Sequence, residues 1–466
     1  MIQSLNVLGG MKLLKRTTSR CPQCKAEIPA EVFERDGRVM MVKSCVQHGH
    51  FEVTIAADPR FYHLSQGGRD GDAGSGGCCG STCGCGPQSP QSPQSDAPGA
   101  DPFEVLSSCI ALIEIVDSCN LTCPTCYASS PFGIDDEIDC ISFENFIERV
   151  RGVLDRKGSI DILQLSGGEP TIHPCFFEIL EWCLNESRIG YVLINTNAVR
   201  IAVDEAFREQ IGELRRARGK FELYMQFDGP QAEGQRELRG ADLREIRRRA
   251  IDEGGALGVP TTLAMTVTPV TIRHLGDTLR FGLERPHCRG ITLQPMFTSG
   301  RVHHVETKLP LVHVDPRPIS VGDVILNLVE QSEGVLSVED FTPLPCGDPN
   351  CHTISYVLRL KTGLIGLSRL LDLSALQGFL RNRVDYRLED LAKCGCETEP
   401  LGDLLKQYEI GPDQPFRIFI KPFMDAWTFD QDRIDRCCTH VIRRDGTLDS
   451  FCRYYLGGGA DGLAMK

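Results

Sequence analysis

The sequence predicts an α/β fold in which short apolar strands alternate with amphipathic helices and form a partial (β/α)6 barrel. Three observations indicate this fold. Six apolar runs of strand length lie between residues 111 and 294, helical patterns fill the gaps between them, and small polar residues follow the strands. Right-handed crossovers curl such a sheet towards a barrel, whose active site lies at the carboxyl ends of the strands.

The elements of this barrel are predicted from hydrophobic periodicity and from helix end signals. The strands cover residues 111–116, 162–165, 191–194, 222–227, 261–267 and 290–294. The helices cover residues 142–154, 175–185, 204–217, 242–253 and 274–283, with Ser142 as the N-cap of the first. A basic run, Arg247 to Arg249, is predicted to end the fourth helix, where positive charge interacts favourably with the helix dipole.

A small module precedes the barrel in residues 12–66, where two strands are predicted around 39–42 and 51–55. It contains a Cys-Pro-Gln-Cys pair and a Cys-Val-Gln-His pair. Ligand pairs at this spacing predict a structural, rubredoxin-like or zinc-knuckle site for one zinc or one mononuclear iron. The predicted ligands are Cys21, Cys24 and Cys45, with His48 as a possible fourth, while His50 is expected at the surface.

Residues 67–104 are predicted to be a linker, because they are too polar and too rich in Gly, Pro and Ser to pack a core. Four thiols lie within eight residues of this segment, at Cys78, Cys79, Cys83 and Cys85. One of them is an alternative fourth ligand of the N-terminal site, and Cys85 is included among the candidate metal ligands.

Three cysteines follow the first predicted barrel strand. Cys119, Cys123 and Cys126 have C-x3-C-x2-C spacing in a loop at the strand end. Each iron of a cubane cluster normally takes one thiolate, so three local thiols leave one iron open for another ligand.

Small and polar residues follow the next strands. Gly167 and Gly168 allow the backbone to approach a ligand closely, and Glu169 can accept a hydrogen bond from an ammonium group. The later strand ends contribute Asn197, Gln226 and Asp228. In series behind a three-cysteine loop, these groups predict a site for hydroxyls and a carboxylate.

Residues 109–298 resemble the radical S-adenosylmethionine superfamily. The resemblance rests on the three-cysteine loop with Tyr127 beside its last thiol, on Gly167-Gly-Glu-Pro170 and on the polar strand ends. It implies a 4Fe-4S cluster on the three cysteines, whose open iron binds S-adenosylmethionine. It also implies one-electron cleavage of that cofactor to methionine and a 5'-deoxyadenosyl radical.

The same resemblance assigns individual roles to residues of the site. It implies that Gly168 and Glu169 contact the methionine ammonium and that Tyr127 lies near the adenine. It places three further side chains near the ribose or the carboxylate, namely Asn197, Gln226 and Asp228. On this basis residues 105–300 form the radical core.

The C-terminal region, residues 301–466, is predicted to be an auxiliary iron-sulfur domain. Its seven cysteines are Cys346, Cys351, Cys394, Cys396, Cys437, Cys438 and Cys452. They nearly suffice for two four-cysteine clusters, with His440 or a linker thiol as the eighth ligand, so one or two auxiliary 4Fe-4S clusters are expected. A single zinc is the alternative.

The whole chain resembles the archaeal tetraether lipid synthases and related radical methyltransferases. The resemblance rests on the cysteine knuckle before the core, on Leu-Pro-Cys-x4-Cys after it, and on Asp425-Ala-Trp-Thr-Phe-Asp430 followed by Cys-Cys-x-His, Asp-Gly and Phe-Cys. The resemblance implies hydrogen abstraction from an unactivated carbon, with carbon-carbon bond formation on a lipid-like substrate. Two alternatives stay open: methyl transfer to a pterin-like or other small molecule, and modification of a peptide. A reductant such as flavodoxin or ferredoxin is the expected protein partner.

Composition restricts the remaining partners. The net charge of -13 argues against binding to phosphate backbones, so no nucleic acid partner is expected. The 22 cysteines occur largely in close pairs that converge more easily on metals than on each other, which indicates a reducing cytoplasm. No apolar run has the length of a membrane-spanning helix, so membrane contact is expected to be peripheral at most.

Overall fold

The structure is a computed structural model that describes residues 11–64, 108–134, 137–302, 318–343, 348–370 and 414–457. None of the helices in these segments is both long enough and apolar enough to cross a membrane. The predicted α/β fold class with a partial parallel barrel and an N-terminal metal-binding module is confirmed.

The N-terminal module is an antiparallel sheet followed by a short helix. Its elements are β1 (Lys12–Arg20), β2 (Glu27–Arg35), β3 (Arg38–Cys45), β4 (Gly49–Ala56) and α1 (Pro59–Leu64). The sequence predicted only β3 and β4. The other two strands were missed because Lys, Arg and Glu on their exposed face interrupt the apolar pattern, although Ala30 and Val32 of β2 are buried.

The barrel core alternates strands and helices as predicted. Its elements are β5 (Ile110–Val116), α2 (Phe143–Lys157), β6 (Ile160–Gly167), α3 (Phe176–Asn185), β7 (Ile189–Thr196), α4 (Val199–Val203), α5 (Glu205–Arg218), β8 (Phe221–Gln226), α6 (Ala232–Arg239), α7 (Arg244–Ala256), β9 (Thr261–Val267), α8 (Leu275–Leu283) and β10 (Cys288–Pro295). The predicted cap is also present, because the Ser142 hydroxyl accepts a hydrogen bond from Asn145 N at the start of α2.

The C-terminal region continues this sheet on both sides. Its elements are α9 (Val321–Gln331), β11 (Thr342–Pro343), β12 (Thr353–Leu360), β13 (Gly363–Gly366), β14 (Pro415–Ile420), α10 (Gln431–Ile434), β15 (Thr439–Ile442), β16 (Leu448–Ser450) and α11 (Phe451–Leu456). β15 pairs in parallel with β5, and β14 pairs in parallel with β10. The strand order is β11-β12-β14-β10-β9-β8-β7-β6-β5-β15-β16, and the domain boundaries drawn from the sequence stay predictions.

The two faces of β5 show how the barrel is filled. Ile113 and Ile115 belong to the large core under the helices. Leu112, on the opposite face, packs in a second cluster with Tyr455 of α11. The C-terminal helix is therefore part of the barrel interior, close to the loop that follows β5.

Candidate active site and metal centres

A cavity of about 880 Å³ opens at the carboxyl ends of the barrel strands. Most of the predicted site residues line it: Cys119, Cys123, Cys126, Tyr127, Gly167, Gly168, Asn197 and Gln226. Glu169 and Asp228 are not in this lining and are buried behind it. The structure thus brings the three-cysteine loop and the polar strand ends together around one space.

The two glycines at the end of β6 are required by the close approach of two strand ends. Gly167 has a φ of +119°, and a Cβ atom there would overlap the Val116 carbonyl oxygen. A Cβ on Gly168 would overlap the Ser118 carbonyl oxygen. Without side chains at these positions, Gly168 N donates a hydrogen bond to the Val116 carbonyl oxygen and Glu169 N donates one to the Ser118 carbonyl oxygen. These contacts fix the glycine turn against the start of the cysteine loop.

The Glu169 carboxylate is occupied by donors from the protein. It accepts hydrogen bonds from Thr171 N and Oγ1 at 3.2 and 2.6 Å, from Thr196 Oγ1 at 2.7 Å and from Asn197 N at 2.7 Å. Burial raises its pKa, and these hydrogen bonds oppose that shift. In this geometry Glu169 ties the ends of β6 and β7 together, which leaves little acceptor capacity for the ammonium contact expected from the sequence.

Asp228 is fully buried and binds two arginines. Its carboxylate accepts from Arg239 Nε at 2.6 Å, from Arg239 Nη2 at 3.0 Å and from Arg247 Nη1 at 3.0 Å. Burial opposes its ionisation, but the two guanidinium charges and their hydrogen bonds lower the pKa of Asp228 to about 2. The prediction that Arg247 lies at a helix end is wrong, because it lies near the start of α7 and is fully buried as a counter-ion.

Arg239 presents positive charge to the cavity, and sequence reasoning missed it. It lines the cavity at the end of α6 and also donates to Gln226 Oε1 at 3.1 Å. Gln226 in turn donates to Asn195 Oδ1, and Asn195 donates to Ser166 Oγ. This chain of hydrogen bonds fixes the orientation of the Gln226 and Asn195 amides at the strand ends. The guanidinium of Arg239 has the charge and geometry to bind a ligand carboxylate beside them.

Tyr127 belongs to an aromatic wall that comes from the chain's C-terminal part. Its ring lies 4.8 Å from the ring of Tyr455, at an interplanar angle of 87°. The Tyr455 and Tyr454 hydroxyls donate to the Glu114 carboxylate of β5 at 2.6 and 2.8 Å. No local sequence signal pointed to Glu114 or Tyr455, because their proximity depends on the pairing of β15 with β5.

The three thiols fit an iron-sulfur cluster with an open coordination position. Cys119, Cys123 and Cys126 all line the cavity, and no fourth cysteine lines it among the residues that the structure describes. Burial raises the pKa of Cys119 to about 12, so its thiolate requires a bound metal or another strong positive charge. The Asn197 side-chain amide nitrogen lies 3.8 Å from Cys119 Sγ and donates a hydrogen bond to it. Hydrogen bonds of this kind to a ligand atom tune a metal site.

The N-terminal module gathers four metal ligands. The ligand atoms of Cys21, Cys24, Cys45 and His48 all lie within 4.8 Å of one another. Cys24 Sγ is 3.9 Å from Cys45 Sγ, and His48 Nδ1 is 3.5 Å from Cys45 Sγ. These separations fit a closed tetrahedral zinc site of the Cys3His type. His48 is the candidate for the fourth ligand among the described residues, and the alternative Cys85 lies outside them.

Four of the seven predicted auxiliary cysteines lie near enough to one another in the C-terminal region to interact electrostatically. Burial raises the pKa of Cys437 well above its usual value, and the neighbouring thiols of Cys351, Cys438 and Cys452 raise it further. Two cations lie beside them: Lys421 is buried, and Arg433 Nη2 is 3.5 Å from Cys351 Sγ. Cys346, Cys394 and Cys396 lie outside the described residues.

His440, an expected alternative ligand, is engaged elsewhere. Its Nδ1 lies 2.7 Å from the Ser108 hydroxyl and its Nε2 lies 2.9 Å from the Cys437 carbonyl oxygen. With both ring nitrogens in hydrogen bonds, His440 braces the chain next to Cys437 and does not act as a metal ligand in this geometry.

Comparison with known families agrees with the fold and the cysteine loop. Residues 113–282 match the radical SAM superfamily. The chain therefore contains a radical S-adenosylmethionine domain. Residues 13–57 of this radical SAM enzyme match a second family, described as the HMPTM N-terminal zinc ribbon domain. The superfamily and the iron-sulfur and metal-binding character predicted from the sequence are confirmed.

Individual relatives of this radical SAM enzyme differ in how much of the chain they match. A 7,8-dihydro-6-hydroxymethylpterin dimethyltransferase of Methanocaldococcus jannaschii is 25% identical over 94% of the chain and 93% of its own length. A mycofactocin maturase of Mycobacterium ulcerans is 26% identical over 38% of the chain and 47% of its own length. The crystal structure of Streptococcus suis SuiB bound to precursor peptide SuiA covers 41% of the chain and 40% of its own, with 15% identity and a TM-score of 0.34.

Proposed function

We propose that this radical SAM enzyme is a methyltransferase that acts on a pterin-like heterocycle. The observation that carries the proposal is the match to a pterin dimethyltransferase over 94% of the chain, which extends well beyond the radical core on both sides. This supports the methyl-transfer alternative of the sequence analysis. Carbon-carbon coupling on a lipid has no counterpart among the relatives described above, and the mycofactocin maturase matches only 38% of the chain.

The residues around the cavity have the chemistry that S-adenosylmethionine requires. A cluster held by Cys119, Cys123 and Cys126 would supply the electron that cleaves the sulfonium. We assign Arg239 to the methionine carboxylate, because it is the cation in the described lining, and Tyr127 to the adenine. Asn197 and Gln226 are left for the ribose or the carboxylate. Glu169 and Asp228 position these groups from behind the wall.

The flanking metal sites complete the proposed cofactor set. The N-terminal module from β1 to α1, residues 12–64, is called the ribbon below, and its metal site is assigned one structural zinc. The group of Cys351, Cys437, Cys438 and Cys452 is assigned one auxiliary 4Fe-4S cluster, because four thiols lie near one another there. The cations Lys421 and Arg433 beside them would offset the negative charge of such a cluster. An external one-electron donor such as flavodoxin or ferredoxin is required by this chemistry.

The test is a reaction with anaerobically reconstituted full-length protein. It receives dithionite, 7,8-dihydro-6-hydroxymethylpterin and S-adenosylmethionine with a deuterated methyl group, and products are identified by mass spectrometry. Each methyl transfer uses two molecules of S-adenosylmethionine: one is cleaved to methionine and a 5'-deoxyadenosyl radical that takes a hydrogen from the pterin, and the other gives its labelled methyl group to that carbon and leaves as S-adenosylhomocysteine. Dithionite supplies both electrons. We expect a pterin that has gained one or two labelled methyl groups, together with 5'-deoxyadenosine and S-adenosylhomocysteine. The variant Cys126→Ala is the control for chemistry that depends on the cluster.

Two outcomes would contradict the proposal in different ways. Release of 5'-deoxyadenosine with the pterin recovered unchanged would leave the radical chemistry in place and remove the pterin substrate. A product in which two substrate carbons become joined would return the assignment to carbon-carbon coupling.

A further inference from the structure

A second cavity of about 900 Å³ lies beside the first, on the side of the N-terminal ribbon. Three consecutive residues at the end of β10, Pro295, Met296 and Phe297, line both cavities. The two cavities therefore adjoin at one short segment of the chain. Met296 is 36% exposed at this position.

The walls of the second cavity come from parts of the chain that are far apart in sequence. The ribbon contributes Ile55 of β4 and Tyr62 of α1, the start of α9 contributes Val321, and the segment after β14 contributes Phe423. These side chains give the cavity broad apolar and aromatic surfaces.

The ribbon is held firmly in place as a wall of this cavity. Lys43 of β3 is buried and donates hydrogen bonds to the carbonyl oxygens of Ala426 and Trp427, both at 2.7 Å. The Ser19 hydroxyl of β1 donates to Phe429 O at 2.6 Å. The ring of Trp427 also packs edge-on against Phe51 of β4. Direct hydrogen bonds thus join the module with the metal ligands to residues 426–429.

The charged groups of the lining differ in whether they have capacity for a ligand. Asp425 already accepts hydrogen bonds from Thr298 N, Trp427 N and Thr428 N. Asp430 pairs with Lys15 and also accepts from Thr17 Oγ1. Arg433 is different, because its Nε is buried and has no hydrogen-bond partner among the described residues. A buried N–H of this kind favours a ligand that brings an acceptor.

We propose that the second cavity binds the substrate, and that the substrate is a compact, uncharged heteroaromatic ring system with an acceptor atom on one edge. Its faces lie between the apolar side chains of the ribbon and of α9, and its acceptor edge faces Arg433. The proposal rests on the methyltransferase assignment and deepens it, because a pterin ring has both features. It also gives the zinc ribbon a direct part in substrate binding.

The experiment measures binding of 7,8-dihydro-6-hydroxymethylpterin to the anaerobically reconstituted full-length protein by equilibrium dialysis. Ile55→Trp and Val321→Trp fill the cavity from two different elements, and each is expected to weaken binding at least tenfold. Val46→Trp on the ribbon and Leu326→Trp on α9 are the matched controls, because both positions are exposed, at 105% and 39%. They should bind the pterin as the unmodified protein does.

Two further measurements separate the causes. Arg433→Lys keeps a positive charge beside Cys351 and removes the Nε donor, so we expect weaker pterin binding with unchanged iron content. Affinity for S-adenosylmethionine is measured in every variant. A parallel loss of that affinity in the cavity variants would overturn the proposal, since the substitutions would then act on the cofactor site.

The remaining outcomes distinguish this inference from the proposed function. If the unmodified protein methylates the pterin but Ile55→Trp, Val321→Trp and Arg433→Lys bind it normally, the cavity assignment is overturned and the methyltransferase stands. If the unmodified protein neither binds nor methylates the pterin, the proposed function fails and this inference fails with it.

Discussion

Replacing Asp228 by asparagine should destabilise the protein and weaken cofactor binding together. The carboxylate is fully buried and accepts hydrogen bonds from two guanidinium groups, one of which belongs to the fully buried Arg247. The Asp228→Asn change keeps the shape of the side chain and removes its charge. Arg247 would then be a buried cation without a counter-ion, and Arg239 would lose the partner that aims it at the cavity.

The magnitude follows from the burial of this group. Lowering the pKa of Asp228 from 3.8 to about 2 corresponds to roughly 2 kcal/mol of stabilisation at neutral pH. Loss of one partner from a buried ion pair costs about 3–5 kcal/mol. Because the Arg239 side chain keeps 13% exposure and can be partly solvated, we expect a loss of about 3 kcal/mol in the free energy of unfolding.

The assay is urea unfolding of the reconstituted protein, followed by tryptophan fluorescence, with S-adenosylmethionine affinity measured by calorimetry. The matched control is Asp242→Asn, because Asp242 forms an ion pair with Arg244 at the surface. The substitution removes the charge of the carboxylate there without affecting a buried group. That variant should unfold at the same urea concentration as the unmodified protein, because exposed ion pairs contribute little. An Asp228→Asn protein with unchanged unfolding and cofactor affinity would refute the assigned roles of Asp228 and Arg239.

Three further substitutions test other parts of the molecule. Cys126→Ala should abolish 5'-deoxyadenosine formation while metal analysis still finds ribbon zinc and C-terminal iron; a variant that keeps cleaving the cofactor would disprove the cluster assignment. Glu169→Gln places an amide N–H among donors that need an acceptor, so we expect a loss of about 2–3 kcal/mol of stability and weaker cofactor binding by calorimetry; normal values for both would count against its positioning role. Burial lowers the pKa of Lys43 to about 8, below the 10.5 of an exposed lysine, so the folded protein releases this proton first. The stability of the unmodified protein relative to Lys43→Met, from urea unfolding, should therefore rise between pH 8 and pH 10.5, and a falling difference would contradict this.

The sequence predicted the barrel well because its strands and helices carry strong local signals. Each of the six strands is a short apolar run, and the cap at Ser142 and the glycine turn after β6 are also local features. The C-terminal strands were not predicted. β14 and β15 are short, and their partners β10 and β5 lie far away along the chain, so no local pattern shows that they join the same sheet.

The sequence predicted the cysteines of the candidate site, but it predicted the roles of the charged residues less well. The cysteine spacing is visible in the sequence, and the structure brings these thiols to one cavity. The roles of the charged residues depend on burial, which spacing does not show. Asp228 was expected to face the ligand, but Arg239 lies in the lining and Asp228 behind it. Nothing local distinguishes Arg239 from the many other arginines of α6 and α7.

The pairing of β15 with β5 has a consequence for how the protein is made. The Ser108 side chain at the start of the barrel contacts the His440 ring, which lies 332 positions later in the chain. Contacts between residues so far apart in sequence form late in folding, because the entropic cost of closing a long loop comes before the contact can stabilise the chain. Until β15 has left the ribosome, β5 has an unpaired edge of the kind that promotes aggregation. The sheet that carries the three-cysteine loop is thereby complete on this side only after β15 has been synthesised, and a chain shortened before β15 should accumulate as an insoluble product.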